Sequence, residues 1–280
     1  MSRTFRRVVA VLAVIGVVVT LVAVGVHSLV KRIELPGAQQ ARCELIGSPY
    51  SLSTEQAANA ATIGAVATRR KLPVRAATIA LAAALQESKL VNVEYGDRDS
   101  MGLFQQRPSQ GWGSPSQILD PRYSAGRFYD ALLKVPGWQR KRLTDAAQAV
   151  QQSGHPRAYQ QWEKQATVLA TAFTGAEPAA VSCAFPEPTV AATPAKVLQL
   201  LEVELPHTRI ATSALAAELR PTAAWASVGW LIAHADRLGI EAVAHDGRRW
   251  TRADGWRIDA TARADRIRFE VAQVSESASR

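Results

Sequence analysis

Cysteine is scarce: the 280 residues hold two, Cys43 and Cys183. No Cys/His cluster has the spacing of a zinc site, so no metal centre is expected. The five histidines, His27, His155, His207, His234 and His245, are scattered and stand beside no serine–aspartate pair. His234 and Asp236 are two apart on an expected helix and so do not face each other. This argues against a histidine-based hydrolase. No Lys/Arg run is dense and no nucleic-acid module is recognisable, so nucleic acid is not an expected partner. Glycine-rich phosphate loops and internal repeats are also missing, and no cofactor is expected.

What is present begins with charge. The net charge is +9, with an excess of +4 in residues 1–35, +4 in 36–190 and +1 in 191–280. Nearly half of it therefore flanks an uncharged apolar run at residues 8–30. At about 1.5 Å per residue such a helix spans a hydrocarbon layer of roughly 30 Å. Arg3, Arg6 and Arg7 precede the run and Lys31 and Arg32 follow it, which predicts a cytoplasmic amino terminus and an exported remainder. The rival is a cleaved signal peptide with a cut near Ala23-Val24-Gly25, but its apolar core is usually about 7–15 residues. An exported compartment allows a Cys43–Cys183 disulfide that ties the two edges of the central block. The excess in that block also suits an anionic wall polymer.

Residues 33–52 read as a stalk and entry loop. Ser53 with Gln56 makes a capping box that opens an alanine-rich helix to about Thr68. Pro73 starts a mostly apolar, buried helix carrying Ile79, Leu81 and Leu85. An irregular stretch from Leu90 to Gly113 is long enough to be functional. Further helices are expected from Asp120-Pro121 to Pro136, from Thr144-Asp145 to Val150, and from Tyr159 to Phe173. Residues 188–195 read as a stiff linker. The tail then predicts an amphipathic helix from Pro221 to Gly239, a hairpin turning at Asp246-Gly247, and a last alternating strand with Ile267, Phe269 and Val271. The expected domains are thus an anchor at 1–35, a mainly α domain at 36–187 and a small α+β domain at 196–280.

The chemistry concentrates in two short strings. Glu87-Ser88 ends an apolar helix, and Gly102-Leu103-Phe104-Gln105 follows, continuing into Gln106-Arg107-Pro108 and Trp112. Residues 75–165 thereby resemble the lysozyme-like, soluble-lytic-transglycosylase-type domain, in a branch common in exported actinobacterial proteins. That family's signature is a helix ending in Glu-Ser, a Gly-Leu-Met-Gln segment, and a helix with an Ala-Tyr-Asn-type motif. Here Phe104 replaces Met. Ala149-Val150-Gln151 occupies the place of the third motif, with Gln151 where asparagine would stand and no tyrosine before it.

The resemblance implies a lysozyme-like fold and a membrane-anchored, extracytoplasmic enzyme that cuts the β-1,4 bond between N-acetylmuramic acid and N-acetylglucosamine in peptidoglycan. Glu87 is the expected general acid and base, kept protonated by apolar neighbours that penalise its ionised form. A single glutamate suffices for a lytic transglycosylase. Otherwise Glu87 is a solvated helix-end residue, the usual fate of glutamate. Ser88, Asp99, Gln105, Gln106, Trp112 and Gln151 are the expected substrate-side residues. Tyr159 and Trp162, at helical spacing, read as core. Asp97 and Asp99 have two readings: the second carboxylate of an inverting hydrolase, about 6.5–9.5 Å from the first, or turn residues capping their own backbone. The rivals to a transglycosylase are a lysozyme-type hydrolase and a non-catalytic wall-binding protein of the same fold. The tail is open to a protein partner or to a purely structural role.

Overall fold

The computed structural model describes residues 41–188 and 190–273. The apolar run at 8–30 and its flanking arginines lie outside them. Among the described residues no helix is long and apolar enough to cross a membrane. They carry nine α-helices and two antiparallel sheets, a mixed α+β fold.

Residues 54–173 are helix and loop, as expected of this block, and a small sheet lies at its two edges. Strands β1 (Arg42–Leu45), β2 (Ser51–Ser53) and β3 (Val181–Ala184) pair antiparallel in the order β2-β1-β3. Residues 42–45 and 51–53 are therefore strand rather than stalk. Cys43 stands opposite Cys183 in the β1–β3 register, and the two are disulfide-bonded.

Helix α1 (Thr54–Arg69) starts at Ser53, whose hydroxyl accepts from the Gln56 amide while the Gln56 side chain returns to the Ser53 N–H. Both halves of the expected capping box are present. Helix α2 (Val74–Ser88) is buried from Ala76 through Leu85, and Lys89 in the left-handed region ends it. After α3 (Pro115–Ile118) come α4 (Pro121–Leu133), capped by Asp120, and α5 (Leu143–Gln151). Thr144 does not cap α5: its hydroxyl donates to the Pro156 carbonyl at 2.7 Å. The helix expected from Tyr159 divides into a 3₁₀ turn at Ala158–Trp162 and α6 (Glu163–Phe173). Gly64 lets α1 approach α6, since a Cβ there would lie 2.8 Å from the Phe173 carbonyl oxygen.

The tail holds α7 (Pro194–Glu204), β4 (His207–Thr212), β5 (Ala216–Pro221), α8 (Ala224–Ala233), α9 (Ala235–Leu238), β6 (Ile240–His245), β7 (Arg248–Thr251), β8 (Gly255–Ile258) and β9 (Ile267–Val271). The six strands form one sheet in the order β4-β5-β9-β6-β7-β8. The Asp246-Gly247 hairpin joins β6 to β7 as expected. Pro221 closes β5 instead of opening a helix. Helix α8 is buried at every position from Ala226 to Ala233, so it is apolar all round rather than amphipathic.

The reason is where it lies. It packs on α1 and α6 on one side and on the sheet strands β5 and β6 on another. Ile63, Phe173, Trp230 and Phe269 accordingly belong to one continuous hydrophobic core, and the described residues make one compact unit. The segments expected as separate domains around 188–195 share that core.

Candidate functional site

The carboxylate of Glu87 sits one residue before the last residue of α2, half-buried. Its Oε1 accepts a 2.6 Å hydrogen bond from the Tyr159 hydroxyl. Tyr159 is fully buried, so its ring has no freedom to leave this contact. Burial, with the adjoining Glu87, holds the phenol protonated far above the ordinary tyrosine range. The hydroxyl therefore keeps its hydrogen and donates it to Glu87 in this structure. The apolar mouth expected around Glu87 is not what surrounds it: the open side is a polar cleft.

That cleft measures about 450 Å³ and is lined by Glu87, Asp97, Gln105, Arg107, Trp112 and Gln151, among others. A second hollow of about 480 Å³ adjoins it, shares Trp112 and Gln151, and extends to Arg127 and Lys134. Together they form a trench with Glu87 near one end and two cationic side chains near the other. Trp112, half-buried, lines both hollows.

The far wall is the turn 102–106. Gly102 is at φ +75°, and a Cβ there would lie 2.9 Å from the Ile118 carbonyl oxygen. Two side chains fasten this turn to the helices. Ser88 donates to the Leu103 carbonyl at 2.8 Å, and Gln151 donates to the Phe104 carbonyl at 2.9 Å. Ser88 and Gln151 thus hold the wall in place. Phe104 faces away into the core, stacked on Phe128 with ring centres 4.9 Å apart.

Gln105 spends its side chain within the loop. Its Oε1 accepts from Ser100 at 3.0 Å, and its Nε2 donates to the Gly102 carbonyl at 3.3 Å. Gln106 reaches the cleft wall but is only 2% exposed, and its Nε2 donates to the Ser124 carbonyl. Both stand at the cleft while serving its shape.

Asp99 is committed elsewhere. Its Oδ1 takes Arg107 Nε at 2.7 Å and its Oδ2 takes the Ser109 amide at 2.8 Å. Those donors, Arg107 foremost, hold its carboxyl well below the usual range. Of its two readings, this geometry is that of a loop-shaping residue. Asp97 lines the cleft with a side chain 93% exposed. The Asp99 bridge carries a pH dependence with a definite sign. A depressed carboxyl stabilises the fold fully above its unfolded value of 3.8 and loses that contribution as pH falls towards its folded value. Asp99→Asn should therefore melt below wild type at pH 6, with the difference shrinking below about pH 4. Thermal melts of both proteins across pH 3–7 check this, and a gap independent of pH would refute it.

The residue whose role the sequence does not reveal is Tyr159. It is buried as expected of a core residue, yet its hydroxyl belongs to the site. Trp162, its neighbour at helical spacing, donates to Gln86 Oε1 at 2.8 Å and packs under Lys89, outside the cleft. The sequence does offer one signal, a tyrosine eight residues after Gln151 rather than just before it. Among the described residues no cluster of His, Cys, Asp and Glu has metal-binding geometry. Chemically, the site offers one half-buried carboxylate with one oxygen fixed and the other free of protein donors. The wall opposite is polar, and an indole lies along the trench. No protein-family model matches the chain, and no curated protein matches it.

Proposed function

We propose that this chain is a membrane-anchored peptidoglycan lytic transglycosylase with a lysozyme-like domain, and that Glu87 is its single acid and base. The observation that carries the reading is the Tyr159–Glu87 hydrogen bond at the edge of a trench walled by the Gly102–Gln106 turn. It leaves one carboxyl oxygen directed to substrate while the other is held.

In this mechanism protonated Glu87 gives its proton to the glycosidic oxygen as the muramyl C1–O bond breaks, and the N-acetylglucosamine end leaves as an alcohol. The carboxylate so formed takes the proton of the muramyl 6-hydroxyl, whose oxygen closes on C1. Glu87 ends protonated and no water is consumed. The indole of Trp112 provides a flat apolar face for a sugar ring. Gln105, Gln106 and Gln151 hold the shape of the wall along which the strand lies. Exported placement behind the apolar run at residues 8–30 agrees with the disulfide, which persists in oxidising compartments.

A single-carboxylate route is favoured over an inverting hydrolase because both Asp99 oxygens are already engaged. Mass spectrometry of fragments released from purified peptidoglycan separates the two. The expected products carry 1,6-anhydro ends, lacking one water relative to reducing ends. Reducing ends alone would make the enzyme a hydrolase and would return Asp97 to consideration as the water-activating group.

A further inference from the structure

Away from the trench, where α7 and α8 meet α1 and the start of α4, a separate cavity of about 280 Å³ opens. At about 30 Å³ of liquid per water it holds roughly nine waters, room for a small organic molecule. Its lining includes Arg122, Leu200, Glu204, Trp230, His234 and Arg237. The trench chemistry uses none of these groups.

Two of the polar ones are deeply buried. Glu204 is 7% exposed and His234 is 2% exposed. Glu204 Oε2 accepts from the Trp230 indole N–H at 2.9 Å. His234 stacks on the same indole, with ring centres 4.0 Å apart. Its Nδ1 lies 2.8 Å from the Trp230 carbonyl, which only accepts, so Nδ1 carries the hydrogen. The other ring nitrogen of neutral His234 is then a bare acceptor with no protein partner among the described residues. Burial keeps the ring neutral by lowering its pKa to about 3. The cations sit nearer the opening. Arg122 is forked onto Asp120 through both carboxyl oxygens. Arg237 is exposed and makes no ion pair among the described residues.

This arrangement selects by charge at both ends. A plain anion would meet Arg237 but would also face the Glu204 carboxyl and the His234 lone pair, neither of which donates to it. A plain amine would suit Glu204 and His234 but would sit against two guanidiniums. A zwitterion satisfies both ends. The Glu204 carboxyl takes one donor from Trp230 and has room for another, and the second ring nitrogen of His234 is an acceptor; an ammonium group supplies a donor to both. Leu200 and the face of Trp230 leave apolar room for a short side chain.

We propose that this cavity is a binding site for a small free amino acid, its carboxylate at Arg237 and its ammonium at Glu204 and His234. The site is distinct from the trench and does not depend on what the trench cleaves.

Isothermal titration of the full chain in detergent, with alanine and leucine of either hand, tests this. Propionate and ethylamine serve as single-charge controls. At least one amino acid should bind with one-to-one stoichiometry, and both controls should bind at least about tenfold more weakly. Arg237→Met, at the exposed rim, should weaken that amino acid about tenfold or more, as should Glu204→Gln, which keeps an acceptor for the Trp230 indole. Glu87→Gln should bind it as wild type does, even where it releases no glycan. Absence of binding by all four amino acids overturns the proposal. So does binding that Arg237→Met leaves unchanged, or propionate binding as tightly as alanine.

Discussion

Glu87→Gln is expected to release soluble fragments from purified peptidoglycan at about a thousandth of the wild-type rate or less, because one residue supplies both proton transfers. The substitution is nearly isosteric. Its amide oxygen still accepts from Tyr159, so the hydroxyl stays satisfied and the helix end keeps its place. The melting temperature should therefore match wild type, which separates lost chemistry from lost structure. Fragment release and a thermal melt on the same two preparations measure it. Digestion at the wild-type rate would remove Glu87 from catalysis. A wild-type protein that binds the wall yet releases nothing would instead favour a wall-binding role for this fold. Tyr159→Phe offers a graded companion: it frees Oε1 without touching the carboxyl, so it should lower turnover while leaving some of it in place.

The second large effect concerns stability. Joining Cys43 to Cys183 closes a loop with a sequence separation of 140 residues. In the chain-entropy model a closure of that length is worth about 5 kcal/mol. Whole domains are stable by only about 5–15 kcal/mol, so the bond is decisive. Replacing both cysteines by serine, or adding reductant, should lower the melting temperature by roughly 10–20 °C. The cause is local as well as entropic. Strand β1 has four residues and β2 has three, too few to hold a sheet edge by hydrogen bonds alone. An unchanged melt in reductant would show that the core alone closes this unit.

What the sequence made legible was local. Ser53 and Gln56 stand three residues apart, Asp246 and Gly247 are adjacent, and Glu87-Ser88 lies about fifteen residues from its loop. Signals of that range need no knowledge of the rest of the chain. The misses were long-range. Strands β1 and β3 are short and become strands only because a distant partner pairs with them. Residues 194–221 carry α7, β4 and β5, of which only the cap at Thr193 and the Pro194 after it could have spoken. The all-apolar pattern of α8 looked amphipathic until its second neighbour, α1, was in view. In the site, Ser88 and Gln151, expected on the substrate side, bind backbone, and Asp99 holds Arg107. Tyr159 has the spacing of any buried helical residue, so nothing local shows that its hydroxyl meets a carboxyl 72 positions earlier.

Ser88 and Gln151 hold the turn by the carbonyls of residues 103 and 104, never by their side chains. A backbone carbonyl survives any substitution of its residue. The side chain at 104 is therefore free to follow the demands of Phe128 and the interior, while the same residue's peptide oxygen keeps the rim where it is. Interior and rim can drift independently, and a bulky ring can stand where a thioether would serve without unfastening the edge of the groove.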